Sequence, residues 1–342
     1  MSGGRAPRLA AVLITLAAAA LAGAHPTLTV RGEVGLDSGV HATSTAEATR
    51  TSVPVSIRAR LEVEAALGGT TLRLLTSPAL AAGAGLGEAP HDVRAQPGLQ
   101  EALLRHRTPR LDLSAGLERW SMGEMRLREV LRLDGRLATG EPRGLLGARA
   151  AYYPTPWRLR AGLLVPVDAE ARLGSLGGAL ALRRESGPLT LEAHAAWTER
   201  PVLGVTASGT VGELVAYGET WLLGDPVRAR GGLGLTGFAG DVLWTLEGVW
   251  APEDAALSAT ASRPAVHGSA RLSPLRDLSV EASAGVAWPR ARGDPARRTP
   301  VLDLGVQVNI ERPDLTWSVR PALHAGDGIT TVGVGTSVRA FF

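Results

Sequence analysis

The sequence predicts an all-β fold: a transmembrane antiparallel β-barrel of about eighteen strands, with sixteen as the alternative count, after a cleaved signal peptide. Three observations carry this. Apolar and polar residues alternate with the period of a strand over most of the chain. Short and long connections take turns from one end to the other, as they do when hairpins close one rim of a barrel and loops the other. The chain also stops on Phe341-Phe342, at the end of an alternating segment of barrel-strand length.

The N-terminus reads as an export signal. Arg5 and Arg8 precede the apolar run Leu9–Ala22, and Ala22-Gly23-Ala24 is a small-x-small cleavage site. Residues 1–24 are therefore expected to be removed, leaving residues 25–342 as the barrel. No later stretch has the eighteen consecutive apolar residues that a spanning helix needs. Any later membrane crossing must then be made by strands.

Composition narrows the function classes. With 0 Cys there are no disulfides, thiolate metal sites or cysteine nucleophiles. The 36 basic residues are all Arg and face 33 acidic ones, which lifts the pI to about 10.1 at a net charge of only +3. No basic cluster is interleaved with aromatics, so nucleic acid is not an expected partner. Aromatic residues make up only 4% of the chain. That runs against a barrel, which carries aromatic girdles at both membrane interfaces.

The elements follow in order. Residues 27–36 alternate, and a Thr/Ser-rich loop is expected over 37–52. Val53–Leu67 is the clearest strand: Val53, Val55, Ile57, Ala59, Leu61 and Val63 on one face, Ser56, Arg58, Arg60, Glu62 and Glu64 on the other. Gly68-Gly69 turns it into 70–77. Residues 78–109 break the alternation and are expected to be a long loop, with a short helix over 97–107, folded inward as a constriction or lying on the surface. Strands are expected at 110–119 and 124–133 around Trp120-Ser-Met-Gly123, and a polar loop at 134–143. Hairpins follow over 145–167, 173–198, 202–223, 227–250, 265–288 and 300–323, with loops at 251–264 and 289–299. Residues 329–342 form the last strand.

In that last strand Val338, Ala340 and Phe342 share one face, with Thr336 the weakest member of the row. This end resembles the final strand of bacterial outer-membrane β-barrel, porin-like proteins, which closes on an aromatic residue preceded by alternating apolar ones. The resemblance implies recognition of Val338, Ala340 and Phe342 by the barrel-assembly machinery, and outer-membrane lipid around the finished barrel.

Charges on such strands belong inside, because Arg at mid-bilayer costs roughly 2–4 kcal/mol. The pore-lining candidates are Arg58, Arg60, Glu62, Glu64, Arg73, Arg126, Arg128, Arg132, Arg158, Arg160, Glu192, His194, Arg228, Arg230, Glu247 and Arg271. An interior rich in Arg favours anions; pairing of Arg with Glu across strands would leave little net field. The expected function is an outer-membrane channel for passive passage of small solutes, with a mild anion preference and without enzymatic activity. One alternative is a structural or envelope-anchoring barrel with no open pore. The other is a barrel lipase: His267-Gly-Ser269 resembles the His-x-Ser pair of outer-membrane phospholipases. Here, however, the alternation turns that pair inward, and no third residue can be assigned to orient the imidazole. His194 and His267 stand too isolated for a metal site, and no cofactor motif occurs. Oligomeric state is not encoded in any motif.

Overall fold

The computed structural model describes residues 27–45, 48–85, 91–96, 98–118, 135–136, 142–143, 145–165, 175–197, 201–224, 228–250, 264–288, 300–326 and 328–342. The proposed signal peptide, residues 1–24, lies outside them.

The wall begins with β1 (Thr27–Ser44) antiparallel to β2 (Thr49–Leu67). β3 (Thr70–Thr76) and β4 (Ala79–Gly85) follow one another across Ser77-Pro78, and both pair with β2, so they act as one stave. Pro78 has no N–H for a ladder; its carbonyl accepts the Ala59 N–H at 3.0 Å. β5 (His91–Gln96) and β6 (Leu99–Arg107) likewise form one stave, paired with β4 and β3. β7 (Leu111–Glu118) follows, and a separate ribbon of β8 (Gly135–Arg136) and β9 (Pro142–Arg143) precedes β10 (Leu145–Tyr152). β9 packs beside β6.

The hairpins continue with β11 (Trp157–Val165), β12 (Gly177–Ser186), β13 (Leu189–Trp197), β14 (Pro201–Val211), β15 (Leu214–Leu223) and β16 (Arg228–Ala239). They finish with β17 (Val242–Trp250), β18 (Pro264–Leu275), β19 (Leu278–Ala287), β20 (Val301–Arg312), β21 (Leu315–Gly326) and β22 (Ile329–Phe341). β22 pairs with β1 from Glu33↔Phe341 to Ser44↔Thr330, which closes an 18-stranded antiparallel barrel with no free edge.

The expected strand number is met by a different set of strands. The segment 78–109, expected as a loop with a short helix, supplies β4, β5 and β6 and is part of the wall. Its Ala/Gly-rich start hides the alternation, because small residues on both faces give no period. The strand expected at 124–133 is not needed by the wall: β7 pairs directly with β10, from Leu145↔Glu118 to Tyr152↔Leu111. Residues 124–133 themselves lie outside the described residues. One missed stave and one surplus stave cancel. The loop expected over 37–52 also shrinks. β1 and β2 run on to Thr45 and Ala48, where the Ala48 N–H donates to Thr45 Oγ1 at 3.2 Å.

The two-residue turns at 68–69, 187–188, 212–213, 240–241, 276–277 and 313–314 sit at one rim, called here the turn end, together with Thr27 and Phe342. Gly68 and Gly212 open two of these turns with φ of 54° and 61°, the left-handed geometry that two-residue hairpins demand and glycine adopts without strain. The longer connections gather at the other rim, the loop end, which also holds the short turn between Gly326 and Ile329.

Burial is inverted relative to a soluble protein. Leu163, Leu203, Val205 and Leu233 are 56%, 56%, 56% and 65% exposed, whereas Glu192, His194 and Glu247 are 5%, 5% and 0% exposed. Along β14, exposed Leu203 and Val205 alternate with buried Val202 and Thr206. A closed wall with a greasy outside and a polar inside is what a bilayer requires. The few aromatic residues are placed accordingly. Tyr152, Trp157, Trp317 and Phe342 point outward at the turn end; Trp197, Trp250 and Trp288 do so at the loop end. The low aromatic content therefore still supplies two girdles. Arg184 lies with its guanidinium 5.2 Å from the Trp157 ring centre, at the turn-end interface.

Candidate functional site: the barrel interior

The cross-strand register sets the interior rows. Arg31, Glu33, Asp37 and His41 of β1 stand opposite Glu62, Arg60, Ser56 and Ser52 of β2. The row continues across β2, with Glu64 opposite Arg73. Acid facing base across a ladder is the arrangement that lets charges remain on an inner face.

One side of the interior is packed. Arg73 reaches Glu62 at 3.0 Å and Glu101 at 3.3 Å. Arg105 reaches Asp112 at 3.3 Å and Glu118 at 3.1 Å; Arg107 reaches Asp112 at 3.1 Å. Glu118 also pairs with Arg149 and accepts from Ser114 Oγ at 2.6 Å. Arg160 crosses β12 to pair with Glu192 on β13. It can do so because its β12 neighbour is Ala181, too short to intervene. Arg158 lies 4.9 Å over the Tyr153 ring. Glu247, fully buried, accepts the Tyr217 hydroxyl at 2.8 Å, and the His194 ring meets Trp221 with centroids 5.0 Å apart. Toward the loop end the same side becomes apolar, with Leu145, Leu164, Ala179, Val202, Trp221 and Val249 forming one cluster.

The other side is wet. From β18 through β22 to β1 and β2 the inner ion pairs stay accessible, although the Ser318–Ser337 and Ser279–Asn309 pairs are buried. Asp303 and His324, 2.5 Å apart, are 41% and 42% exposed, against 5% for the Glu192 side chain. Arg58 pairs with Asp37 at 3.5 Å, Arg271 with Glu311 at 3.6 Å and Arg339 with Glu33 at 3.4 Å. Arg60 and Arg320 make no ion pair among the described residues. A recess of about 510 Å³ opens on this side, between β18 and β1.

The sequence-derived candidates fall as follows. Arg58, Arg60, Glu62, Glu64, Arg73, Arg158, Arg160, Glu192, His194, Arg230, Glu247 and Arg271 all lie on inner rows. Of Arg228 only the backbone is described; it pairs with Leu223. Arg126, Arg128 and Arg132 lie outside the described residues. Val338 and Ala340 face outward on β22, next to Phe342. Several interior groups escape a sequence reading. Glu101, Arg105 and Arg107 were expected on a helix, and His41 and His324 in loops. Arg149 and Glu118 could have been found from the alternation of their own strands.

The His267/Ser269 pair lies on the inner face of β18, with Glu247 opposite His267. No group of described His, Asp or Glu residues could hold a metal ion.

A closed barrel with an apolar outside, two aromatic girdles and a charged, partly wet inside is an outer-membrane β-barrel of porin-like fold. No family model and no curated protein sequence matches the chain. Solved structures do. Pseudomonas aeruginosa OccK7 (OpdD) superposes with a TM-score of 0.66 at 11% identity, covering 92% of this chain and 99% of that one. OccK2 (OpdF) of the same organism gives 0.61 at 9% identity over 92% and 97%. OccK5 (OpdH) gives 0.59 at 9% over 92% and 98%. At these identities the likeness is one of fold.

Proposed function

We propose that the chain is a passive outer-membrane channel for small polar solutes, with a mild anion preference. The observation that supports this most is the wet inner side. Charged groups on β18–β22, β1 and β2 stay accessible inside a wall whose outside is apolar. An aqueous path is the economical way to keep such groups solvated. Most inner arginines are paired, which argues for weak selectivity. Arg60 and Arg320, without ion pairs among the described residues, favour anions. One similar structure is that of OccK2 in complex with glucuronate, an anion. In this reading residues 1–24 are an export signal, Val338, Ala340 and Phe342 are read by the barrel-assembly machinery, and the barrel is not an enzyme.

Planar-bilayer recording of the refolded protein tests the proposal. Stable single-channel steps, with a reversal potential shifted weakly toward the anion under a KCl gradient, are expected. Cation preference would remove the anion assignment. Absence of conductance would favour the anchoring barrel instead.

A further inference from the structure

The recess between β18 and β1 has a chemistry of its own. Its polar groups are His267 and Ser269 on β18, Glu281 on β19, Asp303 on β20, His324 on β21 and His41 on β1. Its room comes from glycines in the same rows. Gly285 stands opposite His267, and Gly333 opposite His41. A Cβ at Gly285 would collide with the His267 ring, and one at Gly333 with the His41 ring. Both imidazoles therefore lie down over bare backbone instead of projecting, and the space in front of them stays open.

The surrounding charges are arranged to leave the recess acidic. Arg271, across from Glu281, reaches Glu311 toward the turn end. Arg339 is held by Glu33 and Arg58 by Asp37. Arg320 sits two residues beyond Ala322 on the turn side. Glu247 of β17 stands behind His267. Neither a guanidinium nor a flat carbocyclic ring lines the recess.

The geometry points to a station for the ammonium group of a small organic solute. An ammonium is a compact charge with three donors and no acceptor. Two carboxylates, imidazole nitrogens and serine hydroxyls offer it acceptors and opposite charge. A carboxylate solute would need a guanidinium here, and a sugar would gain from an aromatic platform; the recess provides neither. The inference relies on the proposed channel only for access to the lumen.

The test uses the refolded chain in detergent, with n-butylammonium as probe and butyrate as the matched anion, read by saturation-transfer NMR. Butylammonium is expected to bind. The Asp303→Asn/Glu281→Gln variant is expected to weaken it about tenfold, and Gly305→Leu, which fills the space without changing charge, to weaken it as well. Unchanged binding in both variants, or butyrate binding as strongly as butylammonium, overturns the station. The same preparation in bilayers separates the two proposals. Conductance without butylammonium binding keeps the channel and removes the station. Binding without conductance keeps the station and removes the channel.

Discussion

At the scale of single residues, interior contacts have calculable costs. Tyr217→Phe removes the hydroxyl that donates to buried Glu247 at 2.8 Å. Depriving a buried carboxylate of a donor costs about 1–3 kcal/mol, so urea unfolding of the vesicle-inserted protein should lose stability in that range. A second residue-level device sits at the seam. The Gly32 N–H donates to the Phe342 carbonyl at 2.9 Å, and the Phe342 N–H to the Gly32 carbonyl at 3.0 Å. The Phe342 ring covers the place where a Gly32 side chain would be, the glycine–aromatic pairing that protects bare backbone in sheets. Gly32→Val should lower the folded yield, measured as heat-modifiable migration on gels. Adding Phe342→Ala should recover part of that loss, because the clash is mutual. The terminal aromatic was legible in the sequence, but its glycine partner was not. Nothing local in the first strand announces which residue, over three hundred positions later, will lie on it.

At the scale of elements, alternation is the controlling signal, and its failures are informative. β2 was readable because Val, Ile and Leu alternate with Arg and Glu. β4 was not, because Ala and Gly sit on both faces and carry no contrast. Its neighbour β6 was mistaken for a helix, since Leu99-Gln-Glu-Ala-Leu-Leu104 has strong helix formers. The sheet overrides them: β6 is held between β3 and β7 along both edges. The two faces of a strand should also differ sharply in tolerance. Val205→Arg places a guanidinium on the exposed outer face of β14 and should cost roughly 2–4 kcal/mol in bilayer unfolding. Ser208→Arg, on the inner row of the same strand, should cost well under half of that. Similar costs at the two positions would contradict the assignment of faces. Replacing residues 120–143 with a tight Asn-Gly turn should leave the barrel able to close, because β7 and β10 already meet at Glu118 and Leu145. A circular dichroism spectrum of unchanged strand content would confirm it.

At the scale of the molecule, the interior is two-sided. Arg160 and Glu192 on the packed side contrast with Asp303 and His324 on the wet one, although all four belong to inner rows. Sequence alternation assigns a residue to a face, but it cannot say how crowded that face is. This is why alternation could name residues for an inner row while the recess escaped it: three imidazoles come together there from β1, β18 and β21, far apart in the chain. The strand count was right for a partly wrong reason, since parity constrains the total and not its members. Even so, parity, terminal aromatic and alternation together fixed the architecture, because closure in lipid leaves few solutions.

The seam has one more consequence. β1 and β22 are ordinary neighbours, and β1 begins at the rim where β22 ends. The cylinder thus has no intrinsic first stave. A short linker from residue 342 to residue 27, with a new opening at Gly212-Glu213, would give a circular permutant that retains every ladder. Such a permutant would carry Phe342 internally, its ring still seated but its carboxylate gone. It would separate what the sheet asks of that residue from what a cell asks of a free C-terminus.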